Sequence, residues 1–145
     1  VFFEAHSLFL RSFAEICIKN QIRGKIFMKP EFETQGTALT VRLPAELDHP
    51  VSDEIRRETD RIMGHIYIRS MIFDFSGTTF MDSSGIGLLM GRYRALGMRK
   101  GCVSATGVSR HIEKLLRLSG ITRFIETGRV DMTGKQEGDN YGKYQ

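Results

Sequence analysis

The chain has 145 residues, 41% of them hydrophobic, and a formal net charge of +4 at pH 7; that is one domain's worth of sequence with enough apolar residues for a core, and no apolar run nears the length of a membrane span. The basic excess is scattered: Arg56, Arg57 and Arg61 alternate with Glu54, Glu58 and Asp60, the pattern of a solvated helix face with local ion pairs rather than of a nucleic-acid surface. Cys17 and Cys102 form neither a disulfide framework nor a metal-binding spacing, and the start lacks the basic-then-apolar layout of a signal peptide, so no metal, no membrane and a cytoplasmic location are expected.

Residues 1–27 stand apart from the rest. They hold four basic groups (Arg11, Lys19, Arg23, Lys25) and two acidic ones (Glu4, Glu15). Leu8, Phe9, Phe13, Ile16 and Cys17 would share one face of a helix. The first residue is Val1, and Met28 opens the segment Met28-Lys29-Pro30-Glu31-Phe32. The preferred expectation is that Met28 is the natural start and residues 1–27 are upstream translation or a fragment of something else. The competing one is an amphipathic extension that docks on a partner or a membrane surface.

From Phe32 the chain predicts a hairpin turning at Gln35-Gly36. Leu39, Val41 and Leu43 alternate with Thr40 and Arg42, the period of a half-buried strand that Pro44 ends. Pro50 suits the first turn of a helix with Val51, Ile55 and Ile62 as its buried stripe and Gly64 as its C-cap. Ile66 to Arg69 leads into a buried strand at Met71–Phe75. A second helix carries Ile86, Leu89, Met90, Tyr93 and Leu96 and breaks at Gly97. Lys100–Ala105 is the next strand, with Cys102 a small buried hydrophobe. Ser109 caps a third helix with Ile112, Leu115 and Leu116 inside and Gly120 at its end, and Phe124-Ile125-Glu126 is a short last strand. Gly128 to Gln145 is polar and Gly-rich and is expected to be disordered, or the damaged end of a fragment. Strands alternating with helices place the chain in the α/β class, with right-handed crossovers and a largely parallel sheet.

The most informative stretch is Thr79-Phe80-Met81-Asp82-Ser83-Ser84-Gly85-Ile86-Gly87, a loop that leaves a strand and ends at a helix N-terminus. Asp82 and Ser83 are both good N-cap residues, and one reading is that they only cap the helix. The other is that free N–H groups and the positive end of the helix dipole favour a negative group there, a phosphate included. Gly85 and Gly87 weaken a helix and make more sense as positions of close approach. Met81 and Ile86 are either core or exposed contacts for a partner.

Phe80 to Gly87, continued by Met90-Gly91-Arg92-Tyr93-Arg94, resembles the signature of the anti-sigma factor antagonists, small bacterial STAS-domain proteins, and within them the stage II sporulation antagonists of an anti-sigma-F factor. Ala45-Glu46-Leu47-Asp48-His49 is a second matching block. Val108-Ser109 with Leu115-Leu116-Arg117-Leu118-Ser119-Gly120-Ile121 is a third. The resemblance runs from Lys29 to about Glu126 and makes residues 28–127 the domain. It implies the STAS fold, a small mixed and mainly parallel sheet with helices packed mostly on one side. Family members carry a further helix after the last strand, and the polar stretch 128–145 departs from that.

The resemblance implies a phosphorylation-controlled binding module. Unphosphorylated protein binds an anti-sigma factor serine kinase and frees the sigma factor. The kinase, using ATP and Mg²⁺, phosphorylates Ser83 and the complex separates; a phosphoserine phosphatase reverses the step. The contact residues it implies are Asp48, His49, Met81, Asp82, Ser84, Gly85, Ile86 and Gly87. For Asp48 and His49 the alternative is plain solvation at a helix start. The protein itself needs no cofactor and is not an enzyme in this scheme. A general-stress STAS antagonist with the same biochemistry is the near alternative.

A stand-alone serine or nucleotide hydrolase is the rival from another class. Of His6, His49, His65 and His111, only His49 follows a strand in a loop able to face Ser83. A nucleophile elbow needs Gly two residues before the serine, where Met81 stands. Gly134-Lys135-Gln136 does not meet the P-loop pattern. No helix carries the basic face that DNA binding requires.

Overall fold

The computed structural model describes residues 29–130 and 136–138. Among these lie strands β1 Glu31–Gln35, β2 Ala38–Arg42, β3 Glu46–Leu47, β4 Ser70–Asp74, β5 Phe80–Met81, β6 Val103–Val108, β7 Glu126–Val130 and β8 Gln136–Gly138. Helix α1 spans His49–His65, α2 Ser83–Ala95 and α3 Arg110–Ser119, with a 3-10 turn at Ile121–Arg123. Six strands form one sheet in the order β1-β2-β4-β6-β7-β8, and β3 and β5 form a separate pair. β2, β4, β6 and β7 run parallel, with β1 and β8 antiparallel on the two edges. This is the expected mixed, mainly parallel α/β sheet.

The order explains where the helices go. Each helix joins one parallel strand to the next, and each new strand is added at the same side of the last. Right-handed crossovers made in one direction put all three helices on one face. The side chains pointing to that face are aligned by register. Leu39, Met71 and Val103 lie side by side, as do Val41, Phe73 and Ala105. All six are fully buried, while the intervening Thr40, Ile72 and Ser104 are half-buried, the period of two that a pleated strand imposes. Ile55 of α1, Leu89 of α2, and Ile112 and Leu116 of α3 close the core with no exposed surface. Burial of each such side chain contributes about 1.5–3 kcal/mol.

Local chemistry sets the helix ends. Asp48 caps α1, its carboxylate accepting from the Val51 N–H at 3.2 Å, and Pro50 lies in the first turn as expected. Ser109 caps α3, its hydroxyl accepting from the Ile112 N–H at 3.2 Å. Gly120 ends that helix with φ +79°, a conformation that favours glycine. Behind it, the buried Glu113 carboxylate accepts from Arg117 at 2.9 Å and also from Arg129 of β7, tying α3 to the strand that follows.

Several boundaries differ from expectation. Gly64 does not cap α1; the helix continues to His65, and the N–H of the capping residue Ile66 donates to the Ile62 carbonyl at 2.9 Å. Cys102 is buried, but in the turn ahead of β6, so that strand starts at Val103 rather than Lys100. Phe124 is exposed and lies between the 3-10 turn and β7, so the last expected strand begins at Glu126 and runs on to Val130. β7 then pairs with β8, Gly128 opposite Gly138. Positions 128–130 and 136–138 are therefore strand, not polar tail, because backbone pairing on a sheet edge does not require an apolar stripe. The helical face read from Leu8 to Cys17, the choice about Met28, and residues 139–145 lie outside the described residues.

Candidate functional site

Two short strands deliver two helix starts to one place. β3 and β5 are parallel, with Glu46 opposite Phe80 and Leu47 opposite Met81. The loop before β5 is tied to the end of β2. The buried Thr78 donates its hydroxyl to the Pro44 carbonyl at 2.9 Å. The Thr79 and Phe80 N–H groups donate to the Ala45 carbonyl at 2.8 and 3.1 Å. Gly107, at φ +67° beside the irregularity in β6, holds the same loop from behind. A Cβ there would stand 3.0 Å from the Ser76 backbone nitrogen. Each short strand runs straight into a helix behind an aspartate: Asp48 before α1 and Asp82 before α2.

Asp82, not Ser83, is the N-cap of α2, and Ser83 is the first helical residue. The Asp82 carboxylate accepts from the Ser84 N–H at 2.9 Å and from the Ser84 hydroxyl. The Ser84 hydroxyl lies 3.3 Å from that of Ser52 on α1, linking the two helix starts. Ser84's hydroxyl holds the Asp82 carboxyl below its ordinary pKa; the backbone N–H groups of Ser84 and Gly85 and the charge of His49 act in the same direction, against the cost of burial. Ser83 is exposed and Ser84 half-buried.

The remaining expected contacts divide into surface and support. Met81 is only 4% exposed and Leu47 not at all, so Met81 is core and its expected role as a partner contact is corrected. Gly85 is buried against it: a Cβ would lie 2.5 Å from Met81 Cγ and 3.0 Å from Leu47 Cδ2. The close approach expected of Gly85 is therefore within the chain. At Gly87 an added Cβ meets nothing within 4 Å, so its missing side chain leaves outer surface open. Ile86 is half-buried, Asp48 half-buried and His49 exposed. The structure thus gathers Asp48, His49, Asp82, Ser83 and Ser84 around two neighbouring helix starts, with Gly87 one turn further along α2.

Two residues were not singled out in the sequence as contacts or supports. Phe80 is 49% exposed beside Asp82. Its alternation with buried Met81 in β5 was a usable signal. Arg92 is buried on α2, its Nη1 donating to Thr59 Oγ1 at 3.1 Å and to Asp60 on α1. An arginine at helical spacing from apolar residues gives no such signal.

Among the described residues no group of three or more His, Cys, Asp or Glu side chains is arranged to hold a metal ion. No helix there is long and apolar enough to cross a membrane.

The STAS domain profile matches residues 29–134, and the chain belongs to the STAS domain family. An anti-sigma F factor antagonist of Paenibacillus polymyxa is 32% identical over 95 residues, covering 66% of this chain and 81% of that protein. The structure of the anti-sigma factor antagonist SpoIIAA in its unphosphorylated form superposes with a TM-score of 0.61 at 28% identity, over 68% of this chain and 86% of that one. The Bacillus cell fate determinant SpoIIAA in its phosphorylated form gives 0.56 at 28% identity, over 68% and 89%.

Proposed function

We propose that this chain is an anti-sigma factor antagonist of the SpoIIAA type, switched by phosphorylation of Ser83. One observation carries the reading. Ser83 is the exposed first residue of α2, beside the Asp48–His49 corner, in a chain whose relatives bear that name and include one solved in a phosphorylated form. The unphosphorylated surface binds an anti-sigma factor serine kinase and releases the sigma factor. Transfer of the ATP γ-phosphoryl group to the Ser83 hydroxyl adds about −1.5 to −2 charge and considerable bulk at pH 7. An interface closed over Ser83 and Gly87 cannot take up that group without desolvating it. A phosphoserine phosphatase restores the binding form. The name of the Paenibacillus polymyxa relative favours a sigma-F, sporulation-type partner over a general-stress one.

The geometry supports Ser83 over its neighbour, since the Ser84 hydroxyl is engaged by Asp82. The test is phosphate mapping after incubation with a cognate anti-sigma kinase and ATP. Ser83→Ala is expected to bind the kinase and to take up no phosphate. Stoichiometric labelling of Ser84 or Ser109 in that variant would overturn the assignment.

A further inference from the structure

Leu47 pairs with Met81 in the parallel β3–β5 ladder, and each strand runs on through an aspartate cap into its helix. His49 and Ser83 therefore hold corresponding positions on adjacent elements, each the first residue of its helix. His49 is exposed, and the Asp82 N–H donates to the Leu47 carbonyl at 3.3 Å, which holds the two helix starts together; the His49 charge is the least of the causes that lower the pKa of Asp82 and of Asp53, one turn along α1. The groups around it are acidic: Asp48 and Asp53 on its own side, Asp82 on the other. Arg56 and Arg57 are turned to Asp53, at 2.6 and 3.7 Å.

A phosphate on Ser83 would enter this corner under specific constraints. The Ser84 N–H already serves the Asp82 carboxylate, at 2.9 Å. A dianion at Ser83 would stand one residue from that carboxylate and next to the Asp48 cap. In the first turns of α1 and α2, His49 is the one side chain that can carry positive charge.

We propose that His49 is the intramolecular partner of phosphate on Ser83, its imidazolium offsetting the charge that the two capping aspartates repel. This rests on the reading of Ser83 as the modified residue. Phosphoserine loses its second proton near pH 6, and a neighbouring positive charge favours the form that has lost it. The sign is fixed: imidazolium favours the phosphate dianion, so the second proton leaves phosphate at lower pH when His49 is present.

The experiment uses the full chain with phosphoserine incorporated at position 83 during translation, so its outcome does not depend on whether a kinase uses that site. The ³¹P resonance is followed against pH in the otherwise unaltered chain, in His49→Asn and in His49→Lys. The midpoint is expected about 0.2–0.7 pH units lower with His49 in place than in the His49→Asn variant, the shift that corresponds to an exposed ion pair. His49→Lys, charged throughout, should bring the midpoint down again, and 1 M salt should shrink both differences. Equal midpoints for His49 and His49→Asn, or no lowering by His49→Lys, would overturn the proposal. Failure of a kinase to label Ser83 would instead count against the function proposed above and leave this result standing.

Discussion

Two glycines of α2 make opposite demands at the level of single residues. At Gly85 a methyl group would press on Met81 and Leu47, both buried. The backbone-entropy gain of a Gly→Ala change is at most about 1 kcal/mol, and overpacking a tight core costs about 1–3 kcal/mol. Gly85→Ala should therefore lower stability by chemical denaturation, and a second change, Met81→Ala, should relieve part of the crowding. At Gly87 the space is open. Gly87→Ala should raise stability by about 0.5–1 kcal/mol while weakening anti-sigma factor binding at least about tenfold, or about 1.4 kcal/mol. A variant both more stable and equally tight would remove Gly87 from the interface. Asp82 adds a pH dependence. Its folded pKa is held below the unfolded one, chiefly by the Ser84 hydroxyl. Its contribution is then fully present above the unfolded value near 3.9 and is lost as pH falls through the folded value. Thermal melts from pH 6 to pH 2 should show the stability gap between the chain and Asp82→Asn closing over the acid end of that range.

At the scale of elements, the relation of α1 to α2 decides whether the site exists at all, since each supplies half of it. The two helices are joined near their starts by Ser52 and Ser84 and further along by Arg92, which reaches Thr59 and Asp60. Thr59 is fully buried and also donates to the Ile55 carbonyl at 2.7 Å, which fixes its hydroxyl for Arg92. The pair with Asp60 is only half-sheltered, with Arg92 at 7% and Asp60 at 52% side-chain exposure. Its ionic part is therefore worth little more than a surface bridge, about 0–1 kcal/mol. Arg92 Nε is buried with no partner among the described residues, a cost of burial that an apolar side chain would not carry. The packing of the arginine stem accounts for most of what this residue contributes. Arg92→Ala should cost about 2–3 kcal/mol by opening a void between the helices, and Arg92→Met about 1 kcal/mol or less. Equal losses for the two, measured by urea unfolding, would show that charge rather than packing holds α1 to α2.

For the molecule as a whole the question is whether phosphate refolds the domain or blocks a surface that stays in place. The core lies beneath the helices, built from Leu39, Val41, Met71, Phe73, Val103 and Ala105, and Ser83 lies outside it, exposed. An anion in the first turn of a helix is favoured by about 0.3–1 kcal/mol when exposed, and the nearby Asp82 carboxylate works against it. These contributions are small and opposed, so phosphorylation should change the melting temperature little. Amide spectra should change around Asp48–His49 and Asp82–Ser84 and not across β2 or β6. Affinity for the anti-sigma factor should nonetheless fall at least about a hundredfold, or about 2.7 kcal/mol, because the cost lies in the complex. Spectral change spread through β2 and β6 would mean a refolding switch and contradict this account.

Local rules on the chain determined most of the fold. Strict alternation at 39–43, the caps at Asp48 and Ser109, the glycine stop at Gly120 and the order of strands and helices are properties of neighbours in sequence, where side-chain period and backbone chemistry act directly. The motif blocks at 45–49 and 80–94 are likewise contiguous stretches, so the two helix starts that meet at the candidate site were legible as candidates. Tertiary structure alone decided which of two adjacent polar residues caps α2, because Asp82 and Ser83 satisfy the same local rule and only the Leu47 carbonyl, accepting from the Asp82 N–H at 3.3 Å, sets the register. It also sent Met81 inward, where Leu47 and Gly85 close over it. The ladder of β3 on β5, the arginine between α1 and α2 and the strand formed by Gln136–Gly138 depend on residues 34, 32 or 33, and up to 10 positions apart. The first two are fixed by how the layers pack and lie beyond any local window, whereas the β7–β8 pairing is local but its polar residues carry no strand period.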